Sequence, residues 1–259
     1  MEGAAMTGSL VVVGLGPGNP DQMTPEAAAA IAAAGDFFGY FPYIDRLSLR
    51  PDQRRHASDN REELARAKAA LAMAASGGRV CVVSGGDPGV FAMAAAVCEA
   101  IEEGPEEWRN IDLSIVPGVT AMLAVAARIG APLGHDFCVI SLSNNLKPWE
   151  VIEKRLIAAA EAGFVMAFYN PISKARPHQL GEAFDLLRRH LPSSVPVIFG
   201  RAIGRPDETI RTVRLQDASA DMADMATCII IGSPQTRIIE RDGKAPLVYS
   251  PRSDRGGSA

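Results

Sequence analysis

Val80-Cys81-Val82-Val83-Ser84-Gly85-Gly86-Asp87-Pro88-Gly89 is a short β-branched run that ends in a glycine turn. Two other stretches repeat the pattern, Val11-Val12-Val13-Gly14-Leu15-Gly16-Pro17-Gly18 and Ile115-Val116-Pro117-Gly118-Val119-Thr120-Ala121. Apolar runs without polar alternation suit strands buried on both faces of a parallel sheet. Glycine at a strand's C-terminal end permits a sharp turn and lets a ligand approach the backbone amides. Ligands of open α/β sheets bind at that edge, so these turns imply one crevice lined largely by backbone.

Around these turns the first half of the chain alternates strand and helix. Strands are expected over 10–13, 80–84 and 113–116. Thr24 as N-cap with Pro25 behind it opens an alanine-rich helix. Further helices are expected from about 61 to 75, stopped by Gly77-Gly78, from about 90 to 102, and over 119–129, closed by Gly130. Residues 9–130 thus read as a parallel α/β domain carrying the glycine turns. Ala131-Pro132-Leu133-Gly134 reads as a joint. Beyond it, strands over 137–142, 164–169, 195–201, 209–215 and 227–231 and helices over 148–160 and 177–189 make a second α/β domain, 135–250. Arg241-Asp242-Gly243-Lys244 carries a hairpin-turn signal. The fold class is α/β, with two α/β domains meeting at an interdomain cleft; residues 1–8 and 251–259 are expected to be flexible.

Bulk properties narrow the functions. Of the 259 residues, 47% are apolar and 22% charged, as in soluble globular proteins. The net charge of −4 gives no general pull toward nucleic acid or an anionic membrane. No apolar run is long enough to span a bilayer, and Met1 to Gly8 lacks the features of a signal peptide. The four cysteines are scattered without metal-ligand spacing, so buried reduced thiols and a cytoplasmic location are expected, with no metal site.

The glycine spacing argues against a dinucleotide fold. Gly14, Gly16 and Gly18 are followed by Asn19 where that fingerprint has its third glycine, and the next helix opens only at Thr24. Asp36 has the offset of a ribose-binding acid but precedes an apolar segment instead of ending a strand. No Gly-Lys-Ser/Thr follows any turn, which removes a P-loop. Such loops suit a ligand with hydrogen-bonding surface and no phosphate, and S-adenosylmethionine fits. Asp87 reads either as a helix N-cap with Pro88 at the first helical position or as a carboxylate beside a cofactor's cation or polar tail. Thr120 is likewise a cap hydroxyl or a cofactor contact.

Taken in order, Gly14-Leu15-Gly16-Pro17-Gly18, Gly85-Gly86-Asp87-Pro88-Gly89 and Pro117-Gly118-Val119-Thr120-Ala121 resemble the tetrapyrrole methylase family. Gly39-Tyr40, Tyr43-Ile44-Asp45, Ile140-Ser141-Leu142-Ser143, Pro148-Trp149-Glu150-Val151-Ile152, Phe168-Tyr169-Asn170-Pro171, Gly200-Arg201-Ala202 and Ser250-Pro251-Arg252 extend the likeness over residues 9 to 252. Within the family they resemble its cobalamin-pathway members, and that resemblance implies methylation of precorrin-3B at C-17 with ring contraction. The resemblance implies a homodimer and cofactor contacts at Pro17, Gly85, Gly86, Asp87, Val90, Thr120 and Ala121, extending to Asn170 and Val213. Family members often carry an acid where this chain has Asn144-Asn145.

The implied substrate is a macrocycle with many carboxylates, which an acidic protein binds only through a local basic lining. Lys147, Lys174, Arg176, Arg201, Arg205 and Arg211 are candidates, with Arg201, at a strand end beside glycine, the leading one. Methyl transfer needs positioning and no nucleophilic side chain. His56, His135, His178 and His190 are unpaired in sequence and read as structural or exposed. Ring contraction adds removal of a hydroxyl proton, for which Asp87, Ser143 and Lys147 stand open. A cobalt-loaded substrate, methylation at another macrocycle carbon, a nicotinamide-dependent oxidoreductase and a nucleoside-binding regulator are the alternatives.

Overall fold

The computed structural model describes residues 8–59 and 62–253. The expected flexible ends thus lie mostly outside the described residues, as does Arg61, the expected start of a helix. Contacts divide the chain into two units, Met1–Thr120 and Ala121–Ala259. The boundary precedes the 131–134 stretch read as a joint, because the helix before that stretch packs within the second unit.

The first unit contains β1 (Ser9–Gly14), α1 (Pro25–Ala33), β2 (Asp36–Tyr40), α2 (Phe41–Ile44), β3 (Arg54–Ser58), α3 (Glu63–Ala75), β4 (Arg79–Ser84), α4 (Met93–Glu103) and β5 (Asp112–Val116). Its sheet has the order β3-β2-β4-β1-β5, and every pairing is parallel. The apolar runs of β1 and β4 are buried on both faces, as the centre of a parallel sheet requires, whereas the third run lies on the edge strand β5 and leaves Ile115 exposed. Leu10, Val12, Val80 and Val82 pack with Ala67, Leu71 and Val97 of α3 and α4. Their neighbours Val13, Cys81 and Val83 face the other way, toward Ala27 of α1 and Ile44 of α2. Thr24 caps α1 through its hydroxyl, which accepts from the Ala27 amide at 3.1 Å. Gly77, with φ of +93°, ends α3 in the left-handed conformation that a side chain would resist. β2 and β3 do not follow from the apolar pattern, since β3 reads Arg-Arg-His-Ala-Ser on an open edge.

The second unit contains α5 (Ala121–Ile129), β6 (Gly130–Ala131), β7 (Phe137–Ser141), α6 (Trp149–Glu161), β8 (Val165–Tyr169), α7 (Gln179–Leu187), β9 (Pro196–Arg201), β10 (Thr209–Arg214), β11 (Thr227–Ile231), β12 (Arg237–Arg241) and β13 (Lys244–Tyr249). Its main sheet runs β10-β9-β11-β8-β7, with β7 and β8 parallel and the remaining pairs antiparallel. One face holds Leu142, Met166, Phe168, Val197, Phe199, Ile229 and Ile231 against Ile152 and Leu156 of α6 and Leu180 and Phe184 of α7. Full burial of such side chains contributes about 1.5–3 kcal/mol each. On the other face α5 lies so close that a Cβ on Gly200 would overlap Val125. The expected hairpin forms between β12 and β13, and β13 pairs with β6 in a separate small sheet.

Candidate active site

The first unit's turns meet at the C-terminal edge of its sheet. Gly16 and Gly86 exchange two backbone hydrogen bonds, of 3.1 and 2.9 Å, and the Leu15 amide donates to the Ser84 carbonyl at 2.9 Å. Asp87 ties the second turn to the third: its Oδ2 accepts from the Gly118 amide at 3.0 Å and its Oδ1 from the Gly89 amide at 2.8 Å. Side chains would not fit where the backbones cross. A Cβ on Gly14 would lie 2.6 Å from the Gly86 oxygen and 2.7 Å from the Gly118 nitrogen, and one on Gly118 would overlap the Gly86 carbonyl.

Asp87 is therefore not the N-cap of the following helix. α4 begins at Met93, whose amide donates to the Ser84 hydroxyl at 3.2 Å. Behind the turns, the Tyr43 ring packs so near Gly85 that a Cβ there would lie 2.6 Å from it. Arg46 Nη2 donates to the Leu15 and Gly16 carbonyls, both at 3.3 Å. Arg46 escaped the sequence reading; the only signal was its place just after the aromatic stretch that includes Tyr40 and Tyr43.

Pro17 and Thr120 are buried, Gly85, Gly86, Asp87 and Val90 half-buried. Ala121 is the first residue of α5 and belongs to the second unit. The turns present amides, carbonyls, one hydroxyl and one carboxylate, with no lysine or arginine among residues 14–18, 85–90 and 117–121. That donor set fits a nucleoside with a cationic, phosphate-free tail. It fits a dinucleotide poorly. The first turn of α1 is capped by Thr24, and Asp36 opens β2 at the opposite edge of the sheet. Arg54 holds the Asp36 carboxylate at 2.8 and 2.7 Å, and His56, stacked on Phe38, at 2.8 Å. Burial pushes this carboxyl up, but the bonds and charges of Arg54 and His56 leave it below the usual carboxylate range. Asp36 and His56 are structural.

In the second unit, Ser141, Asn170 and Arg201 end or follow parallel-running strands at one sheet edge. Asn170, with φ of +51°, donates through Nδ2 to the Ser141 hydroxyl at 3.1 Å. The Ser143 amide donates to the same hydroxyl at 3.3 Å. The leading substrate candidate, Arg201, is already held by carboxylates: Nε by Asp224 at 2.7 Å and Nη1 by Asp207 at 2.9 Å. Val213 does not reach this edge. β10 runs antiparallel to β9, so Val213 pairs with Val197 near the other end and packs against the core. Lys147 is half-buried in the loop after β7; burial, then the charges of Arg155 and Arg176, lower its ammonium below the usual range.

A parallel sheet with uncharged glycine turns at its ligand edge, followed by a mixed sheet with a basic loop, defines a two-unit α/β methylase. The chain belongs to the tetrapyrrole (corrin/porphyrin) methylases, whose family model matches residues 9–219. A precorrin-3B C(17)-methyltransferase of a Sinorhizobium species is 73% identical over 253 residues, which span 98% of this chain and 100% of that protein. A probable cobalt-factor III C(17)-methyltransferase of Salmonella typhimurium is 38% identical over 94% of this chain and 98% of its own length. Among solved structures, the methyltransferase CobJ matches with a TM-score of 0.90 and 52% identity, covering 94% of this chain and 100% of its own. A uroporphyrin-III C-methyl transferase from Thermus thermophilus, solved with S-adenyl homocysteine, shares the fold at a TM-score of 0.67 and 21% identity, covering 87% of this chain and 97% of that one.

Proposed function

We propose that this chain is an S-adenosylmethionine-dependent C-methyltransferase that methylates precorrin-3B at C-17, with ring contraction, in cobalamin biosynthesis. The observation that carries this reading is the 73% identity, end to end, with a precorrin-3B C(17)-methyltransferase. The meeting of three uncharged glycine turns supports the choice of methyl donor.

The donor, when bound, supplies a methyl group on a positively charged sulfur. A ring carbon of the substrate forms the new carbon–carbon bond as the methyl–sulfur bond breaks, and the electron pair stays on sulfur, leaving S-adenosylhomocysteine. The chain's part is to bind, align and exclude water. In this reading Pro17, Gly85, Gly86, Asp87, Val90 and Thr120 hold the donor. Asp87 acts mainly by fixing the third turn, since both its oxygens accept backbone amides. Removal of the hydroxyl proton for ring contraction then rests with Ser143 or Lys147.

Incubation with precorrin-3B and the donor, followed by mass and absorbance analysis, is the test. A product heavier by one CH2, a methyl gained and a proton lost, with S-adenosylhomocysteine formed in equal amount, is expected. Failure to transfer methyl, or calorimetric binding of NAD but not S-adenosylhomocysteine, would overturn the reading. The Salmonella relative makes the cobalt-loaded analogue the second substrate to assay. A homodimer belongs to the same reading and is checked by sedimentation. No helix among the described residues is long and apolar enough to cross a membrane.

A further inference from the structure

Arg176 sits in the tight turn after β8, where Ser173 and Arg176 exchange backbone bonds of 3.3 and 2.9 Å. It is only 8% exposed. Its Nη1 donates to the carbonyls that follow the two parallel strands, Leu142 at 3.4 Å and Asn170 at 3.1 Å. Among the described residues Nε and Nη2 make no hydrogen bond, and no carboxylate pairs with the guanidinium. Lys147 and Arg155 are near enough to act on one another electrostatically with Arg176, and neither has an ion-pair partner among the described residues.

A buried cation is unfavourable unless a counter-charge or full hydrogen bonding offsets its desolvation. Two neutral carbonyls hold one of the three guanidinium nitrogens of Arg176, and Nε and Nη2, which are not among the buried atoms that lack a partner, are left facing solvent, where a ligand can reach them. Nε and Nη2 share one side of the planar group, and that side grips a carboxylate through two parallel bonds. Arg201 differs, because Asp224 and Asp207 already supply its anions.

We propose that the Nε–Nη2 side of Arg176, with Lys147 beside it, is a carboxylate subsite that holds one acidic side chain of the tetrapyrrole at the ends of β7 and β8. This rests on the substrate reading above.

The test is direct binding of uroporphyrin, as the free acid, by absorbance titration without methyl donor, combined with methyl-transfer kinetics on precorrin-3B. Arg176→Gln weakens uroporphyrin binding about 10- to 100-fold and raises KM comparably. Arg176→Lys restores only part, since an ammonium lacks the fork. Lys147→Gln gives a smaller loss of uroporphyrin binding, and circular dichroism with the thermal unfolding midpoint is the folding control. Should Arg176→Gln not fold, Arg176→Lys and Lys147→Gln decide. Wild-type uroporphyrin affinity and KM in these variants would overturn the subsite while the methylase reading stands. A wild-type protein that neither binds uroporphyrin nor methylates precorrin-3B would overturn that reading, and the subsite with it.

Discussion

Asp87 and Asp36 show how a carboxylate's neighbours set its work. Asp87 accepts amides from two segments, Gly89 and Gly118, so its removal frees the third glycine turn as well as any charge toward a ligand. Asp87→Ala is expected to weaken S-adenosylhomocysteine binding at least tenfold, roughly one charged hydrogen bond's worth. Asp87→Asn keeps a single acceptor oxygen and falls between. Calorimetry on the three proteins checks this, and wild-type affinity in the alanine variant would refute it. Asp36 works in stability. Its folded-state pKa is depressed, so its contribution is present above the unfolded carboxyl value and is lost as pH falls through the folded one. Asp36→Asn should therefore cost about 2 kcal/mol near pH 7. The gap to wild type should close on acidification below the ordinary carboxylate range, as read by denaturant unfolding at several pH values.

Among the elements, β9 and α5 come together at a single glycine. The glycine at 200 lets the helix approach the sheet, since any Cβ there overlaps Val125. Gly200→Ala is expected to destabilise by about 1–3 kcal/mol through overpacking. Adding Val125→Ala should recover part of the loss, and a double-mutant cycle measures the coupling. Additive effects would mean that helix and strand do not press on one another. This contact also explains the unit boundary: α5 follows the third turn directly in sequence, yet its apolar face is used by the second sheet. Helical periodicity tells that such a face exists and is silent about which sheet covers it.

At the scale of the whole molecule, the cysteines report where the two cores lie. Cys81 and Cys228 are buried strand residues whose thiols burial pushes up to about 12, and Cys138 is pushed up to about 11. Cys98 is exposed on α4, against the expectation that the thiols are buried. A thiol-reactive dye near pH 8 should label Cys98 fast in the native protein and reach Cys81 and Cys228 only on unfolding. Rapid native labelling of either buried thiol would contradict the packing.

What the chain determined without the structure is whatever depends on near neighbours: the β-branched runs at 11–13 and 80–83, the Thr24 cap, the Gly77 stop, and the uncharged turns. Those features act over a few residues, so their pattern survives in the linear order. The edge strand β3, with its Arg-Arg-His start, has no such pattern, because its place comes from pairing with β2 and from Asp36. Which arginine remains available was equally invisible. Arg201 ends β9 and Arg176 follows β8, but Asp224 and Asp207 occupy the first while the second meets only carbonyls. Sheet order decides which distant residues become partners, and with them where a charge is already answered and where it still waits for a ligand.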